Sequence, residues 1–353
     1  MKVTLIPGRE LSPDVFDCWR KLQRSNVDLA NPYFCPEFTG IVASVRPDVE
    51  VAVMEEAGSK VAFLPFQRGP GSLGAPVGGI LSDYQGLICA REFSLDPSEL
   101  VRQSGLIALD FDHLLVSQRS FSAFHSDLEL SPQLDLSRGY ESYLKQQKSA
   151  RSIEARTKAI ERTFGELRYV AHDACPAALQ KILAWKSQQY LRTGRRDLFA
   201  ESWIRATVER VHAMQTEGFS GMLSLLYFGD QLAAGHLSMR AGPICHYWFP
   251  AYDRKFAKYS PGLILLLKTA AHASSSGVHI LDLGKGLADY KQRFMNASVP
   301  LASGSVELMS WRSVKRWMRG TLRSLMVRAS LDQPLRYVVS AARQLRLSAL
   351  QGR

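Results

Sequence analysis

Residues 221–297 hold the pattern that most restricts what this chain can become. Three short apolar or alternating runs, Met222 to Phe228, Leu232 to Met239 and Ile244 to Phe249, are separated by Gly229-Asp230 and Gly242-Pro243. Runs of strand length split by such turn pairs predict an antiparallel meander. A basic loop, Arg254 to Lys258, follows, and then a helix start with Ser260 as N-cap and Pro261 at the first helical position. The helix is expected to end near Ser275, before Gly277, and Val278 to Leu283 is an apolar run of strand length. Strand, basic loop, helix N-terminus, strand is an order that binds phosphate. First-turn N–H groups lack intrahelical partners and carry the positive end of the dipole. The same residues also fit a solvated basic loop before an ordinary core helix, and spacing alone does not choose.

The order of elements resembles that of GNAT acyltransferases. There the strand before the loop parts from its neighbour to take pantetheine, and the next helix N-terminus takes the CoA pyrophosphate. Tyr259-Ser260-Pro261-Gly262, Asp282-Leu283-Gly284-Lys285-Gly286 and Tyr290-Lys291 look more closely like the C-terminal half of the CelD/BcsL-type acetyltransferases. Those are double-GNAT proteins built like the Fem-type peptidyltransferases, and the resemblance covers roughly residues 30–310. One departure stands out: the usual loop has two glycines, and here Gly262 alone remains, behind a proline. The resemblance implies an α/β (α+β) fold of two GNAT-like halves, each a mixed, mostly antiparallel sheet flanked by helices. It implies a donor site, for acetyl-CoA, along Tyr247, Phe249, Arg254, Lys258, Ser260 and Gly262. Tyr290 stands roughly where many GNAT enzymes keep the tyrosine that protonates the CoA sulfur. Ser82-Asp83-Tyr84-Gln85-Gly86 also resembles the family and places Asp83 and Tyr84 towards the acceptor; read without it, this is a turn with a buried tyrosine.

The chain of 353 residues suits two packed units of about 150. The expected division is 1–135, a degenerate first half; 136–310, the half with the donor site; and 311–353, a basic tail. In the first part, strands are expected at Lys2 to Ile6, Val49 to Glu55, Lys60 to Pro65 and Leu106 to Leu109. Helices are expected from Ser12-Pro13, Pro36 and Asp96-Pro97. Gly69, Gly71 and Gly74 match G-x-G-x-x-G, but Pro76 and Gly78-Gly79 follow where the dinucleotide fingerprint needs a helix. Residues 137–165 have helical spacing and crowded basic faces, so Arg151 there serves either a solvated helix or contact with an anionic acceptor or CoA phosphates. Helices at about 175–191 and 201–217 complete the second part.

Direct acyl transfer needs a base for the acceptor, a proton donor for the departing thiolate and an oxyanion site. Asp282, at the end of its strand, is a candidate base or orienting carboxylate. His236 is a second candidate base, although a lone strand histidine is commonly a core residue. Lys285 and Lys291 suit an anionic acceptor or plain surface. No G-x-S-x-G, no H-E-x-x-H and no metal-ligand spacing is present. Five scattered cysteines argue against a disulfide framework.

The net charge of +11 is concentrated beyond Trp311, where ten Lys/Arg meet one acid. The inference of an anionic partner therefore applies to the tail and not the body, and no DNA partner is expected. Trp311, Val314, Trp317, Met318, Leu322, Leu325 and Met326 recur at helical steps among arginines, which suits peripheral contact of 311–329 with an anionic membrane, or packing on the body. The N-terminus has no apolar core of a signal peptide, so a cytoplasmic protein is expected. The sequence thus points to an N-acyltransferase acting on an amino group of a sugar or cell-envelope precursor, a small-molecule or polysaccharide-precursor acceptor. A Fem-type transferase using aminoacyl-tRNA and an inactive scaffold of the same fold are the alternatives.

Overall fold

Proline marks where helices begin. The helices α1 (Pro13–Ser25), α2 (Pro36–Ala43) and α3 (Pro97–Gln103) all open on it, as do α6 (Pro176–Arg192) and α8 (Pro261–Ser275). Its missing N–H costs nothing at the first position, and its fixed φ suits the helix. The structure, a computed structural model, describes residues 1–308. The tail expectation for 311–329 lies outside the described residues. Among the described residues, no helix is long and apolar enough to cross a membrane.

The first half of the chain supplies β1 (Lys2–Pro7), β2 (Val49–Glu56), β3 (Ser59–Gly69), β4 (Leu73–Ala75), β5 (Ile88–Cys89), β6 (Ala108–Leu115) and β7 (His125–Asp135). Then come α4 (Tyr140–Gln146), α5 (Lys148–Phe164), β8 (Leu167–Val170), α6 and α7 (Ser202–Ala213). The expected meander forms as β9 (Ser220–Phe228), β10 (Gln231–Ala241) and β11 (Ile244–Tyr252), followed by α8. The chain continues through β12 (Ile280–Asp282) and α9 (Asp289–Phe294) to β13 (Ala297–Glu307). Gly69, Gly71 and Gly74 join β3 to β4 through a turn, with no helix to complete a dinucleotide site.

These strands make one mixed sheet in the order β1-β2-β3-β4-β6-β13-β7-β12-β11-β10-β9-β8, with β5 beside β3. Neighbours along it are antiparallel except β4 with β6 and β11 with β12. The order reads alike from both ends, and its centre is an exchange: β13 lies against β6, and β7 lies against β12. The exchange repeats in detail. Pro132 of β7 accepts from Leu283 N just past β12, and Pro300 of β13 accepts from Val116 N just past β6. Neither proline can donate to the ladder, which is why local pattern gave these two central strands no signal.

One apolar cluster runs across both halves on one face, joining Trp19, Phe38 and Val49 to Ile182, Val208 and Leu225. On the other face, α5 and α8 cover the second half, and α3 covers the first. Close approach at the exchanged strands leaves no room for side chains at one point. A Cβ on Gly304 would stand 2.0 Å from the Phe124 carbonyl and 2.5 Å from the Phe111 ring. Gly304→Ala is therefore expected to cost about 1–3 kcal/mol through overpacking. Thermal unfolding should show a clearly lower midpoint. Gly262→Ala, whose methyl meets only Tyr252 at 3.5 Å, should not lower it.

Candidate active site

Two parallel strands that pair briefly and then part create the site. β11 pairs with β12 only from Ile244 to His246, opposite Ile280 to Asp282. Beyond His246, β11 continues to Tyr252 with no strand on that side among the described residues. A register shift opposite Leu237 and Ser238 adds one residue, Trp248, to β11 at this point. Such bulges bend a strand and reverse the faces its side chains take. Cys245 and Tyr247 accordingly pack on the α8 side, whereas Phe249 and Ala251 pack on the α6–α7 side. Tyr247 and Phe249, both expected along the donor, thus lie on opposite faces.

At the fork, His246 and Asp282 are fully buried and hydrogen-bonded, Nδ1 to Oδ1, at 3.0 Å. Asp282 also accepts from Tyr84 Oη in a short bond, from Gln133 Nε2 at 2.8 Å and from Gly284 N at 2.8 Å. Ser131 Oγ adds a longer contact at 3.3 Å. The other imidazole nitrogen, Nε2, stands 3.3 Å from Asp83 Oδ2 and 3.4 Å from the Tyr33 hydroxyl, which itself donates to the Leu81 carbonyl. Asp83 keeps 29% of its side chain exposed, so it is the member of the Asp83–His246–Asp282 row that a substrate can reach. Gly284 makes this possible: its φ is +75°, and a Cβ there would come within 2.3 Å of Asp83 Oδ2.

Charge follows from this geometry. Burial works to discharge His246, but its hydrogen bonds to Asp282 and Asp83 and their charges outweigh it, pushing the imidazole up to about 9. Both carboxylates are raised by burial, yet the hydrogen bond and charge of His246 hold each below its ordinary value. At neutral pH the row is anion, cation, anion. Nearby, His113 is pulled down to about 4 by burial, against the pull of Asp83 and Asp112, and is neutral.

The remaining expected residues are placed as follows. His236 faces α8, away from this row: its Nε2 meets Thr269 Oγ1 at 2.9 Å, its ring lies 4.1 Å from that of Tyr247, and burial drives it down to about 3. Tyr290, on α9, packs against the α8 side, and burial lifts its phenol to about 12. Lys291 Nζ donates to the Gly284 and Lys285 carbonyls at 2.9 Å each, bracing the turn after β12. Lys285 pairs with Asp112 at 2.9 Å instead of facing the fork. Arg151 is exposed on the first turn of α5. Ser260 precedes α8 in the left-handed region, φ 56°, and its hydroxyl makes no cap bond, so the N-terminus of α8 stays open. Arg254 and Lys258 are exposed before it, and Arg254 shares a cavity of about 400 Å³ with Trp185, Arg192 and Tyr252. His246, Tyr33 and Gln133 escaped the sequence reading. An inward histidine directly before an aromatic pair was the one visible signal.

Because folding raises the imidazole of His246 above its unfolded value of about 6.5, the pair adds stability that is complete below that pH. The contribution is lost as pH rises through about 9. Urea unfolding between pH 6 and 10 should show the parent losing stability across this window, and His246→Gln should lose markedly less.

Residues 147–292 match the family model described as the acetyltransferase (GNAT) domain. No curated protein sequence matches the chain. Among solved structures, the chain resembles FemX with a TM-score of 0.59 at 10% identity, over 90% of this chain and 99% of that one. It also resembles L-PGS from Bacillus licheniformis, with a TM-score of 0.54 at 9% identity, over 88% and 96%. Such identities speak for the fold alone. Residues 147–292 thus form a GNAT acetyltransferase domain, and the chain that carries it is an acyltransferase enzyme.

Proposed function

We propose that this enzyme moves an acyl group, most simply acetyl from acetyl-CoA, to an amine by direct attack. The observation that carries this reading is the parting of β11 and β12, with Asp83 and His246 at its apex. The slot beside β11 takes the acyl-bearing arm of the donor. The open N-terminus of α8, with Arg254 and Lys258 before it, takes the pyrophosphate.

Asp282 does not touch substrate. Enclosed by Tyr84, Gln133, His246 and Gly284, it fixes the imidazole and keeps it charged. His246, already protonated, is no base; it orients Asp83 by the 3.3 Å contact. Asp83, held as an anion by His246, holds the acceptor ammonium and orients it, and the proton that frees the nitrogen lone pair leaves to solvent. The Tyr290 phenol, protonated throughout the neutral range, supplies a proton to the departing thiolate. The amine N–C bond forms, the thioester C–S bond breaks, and of the two protons the ammonium sheds, one balances the new thiol and one leaves as H⁺.

The acceptor setting, an amino group on a sugar or on an envelope or exopolysaccharide precursor, rests on the CelD/BcsL resemblance. The likeness to FemX supports keeping a second reading, in which aminoacyl-tRNA replaces the acyl-CoA. Calorimetry separates them: saturable binding of acetyl-CoA is expected, and binding of aminoacyl-tRNA alone would favour the second. Binding of neither would leave only a scaffold.

Two further outcomes are expected. Gly262→Glu, whose Cβ would meet only the Tyr252 ring at 3.5 Å, places a charge at the α8 N-terminus and should weaken CoA binding at least about tenfold, or 1.4 kcal/mol. In contrast, Asp83→Asn and Tyr290→Phe should lower turnover about 10²-fold or more while the CoA dissociation constant stays unchanged. Parental turnover in both variants would remove these assignments.

A further inference from the structure

Trp185, Gln188, Gln189 and Arg192 recur along α6 at steps that put them on one face, beside the buried stripe of Leu179, Ile182 and Leu183. Opposite that face, Tyr252 ends β11 and Arg254 opens the loop before α8. These side chains line the cavity of about 400 Å³, which the steps above leave unused. Its volume falls within the range of roughly 300–1,000 Å³ found for small-molecule sites. Tyr252 joins it to the donor route, because its Cδ1 would lie 3.5 Å from a Cβ on Gly262 in the first turn of α8.

The lining combines flat rings, guanidiniums and amides. Among the described residues, neither Arg192 nor Arg254 has a carboxylate within ion-pair distance. Asp253, the acid of the lining, is engaged with Lys255: one oxygen accepts from its backbone N–H at 3.0 Å, and the other lies 3.6 Å from its Nζ. The cavity therefore keeps a positive balance. Guanidiniums suit phosphate, which they bind through paired N–H groups, and aromatic faces suit a planar base. A bare phosphate would leave the two rings without a partner, and a neutral sugar would leave the two cations without one.

We propose that this cavity seats a phosphorylated nucleoside. The base lies against Trp185 and Tyr252, Arg192 and Arg254 take its phosphate, and the Gln188 and Gln189 amides meet the polar edge of the base. Such a group reaches the cavity from one of two sources. One is the donor, whose pyrophosphate at the α8 N-terminus leaves the phosphorylated adenosine of CoA beside Tyr252. The other is an acceptor carried on a nucleoside diphosphate. With the donor as source, the inference deepens the acyl-transfer reading and rests on it.

ADP, UDP and inorganic phosphate should be titrated calorimetrically into the free protein and into protein saturated with CoA. At least one nucleotide is expected to bind, about fivefold or more tighter than inorganic phosphate. Loss of that binding in saturating CoA assigns the cavity to the donor, and its persistence assigns it to a nucleotide-borne acceptor. Trp185→Ala and Arg192→Ala should each weaken it about fivefold or more, while Trp185→Phe keeps it. Arg192 is exposed, so its variant leaves the fold intact. Two results overturn the inference: neither nucleotide binds more tightly than inorganic phosphate, or both alanine variants bind as the parent does. Failure of CoA to bind the parent is a separate result. It counts against acyl-CoA as the donor and leaves the nucleotide titrations to judge the cavity.

Discussion

The ion pair of His246 with Asp282 is the interaction on which the rest depends. Two groups that would be costly to bury alone are fully buried together, and the cost is offset only because every remaining lone pair of Asp282 has a donor. Those donors come from both halves of the chain. Tyr84 and Gln133 arrive from the first, and His246 and the Gly284 N–H from the second. The site therefore does not lie in one half with the other as a support. Its charge state is a property of the joint between them.

The exchange of β7 and β13 is what makes that joint rigid. Gln133 can face Asp282 because β7 crosses to pair with β12, in register Gln133 to Asp282. A sheet divided cleanly at the middle of the sequence would leave Asp282 open on that edge. The shared apolar cluster on the α6–α7 face then seats Tyr33 and Tyr84 against the imidazole.

The elements of the meander, the helix after it and most of the first half were legible in the sequence, since their turns and proline starts are local signals. The exchanged strands were not, because Pro132 and Pro300 argue against central strands and only long-range pairing overrides them. At the site, Asp282, Asp83 and Tyr84 were legible as residues of interest, but not as neighbours. Nothing local ties position 83 to position 282. His236 drew attention and His246 did not, although both are inward strand histidines. What separates them is which face each takes and whether a carboxylate waits there, and the bulge after Tyr247 that organises this region has no sequence mark.

The position of β13 also bears on how the protein comes to be made. Synthesis runs from the N-terminus, and domains commonly fold as they emerge. Here the strand that lies between β6 and β7 is the last of the sheet to leave the ribosome. Until then the first half carries two open strand edges at what will be its centre, a state that invites pairing with other chains. Pairing of β13 with both β6 and β7 closes both edges. A nascent chain stopped short of this strand holds every side chain of the Asp83–His246–Asp282 row, yet lacks the seam that sets them in place.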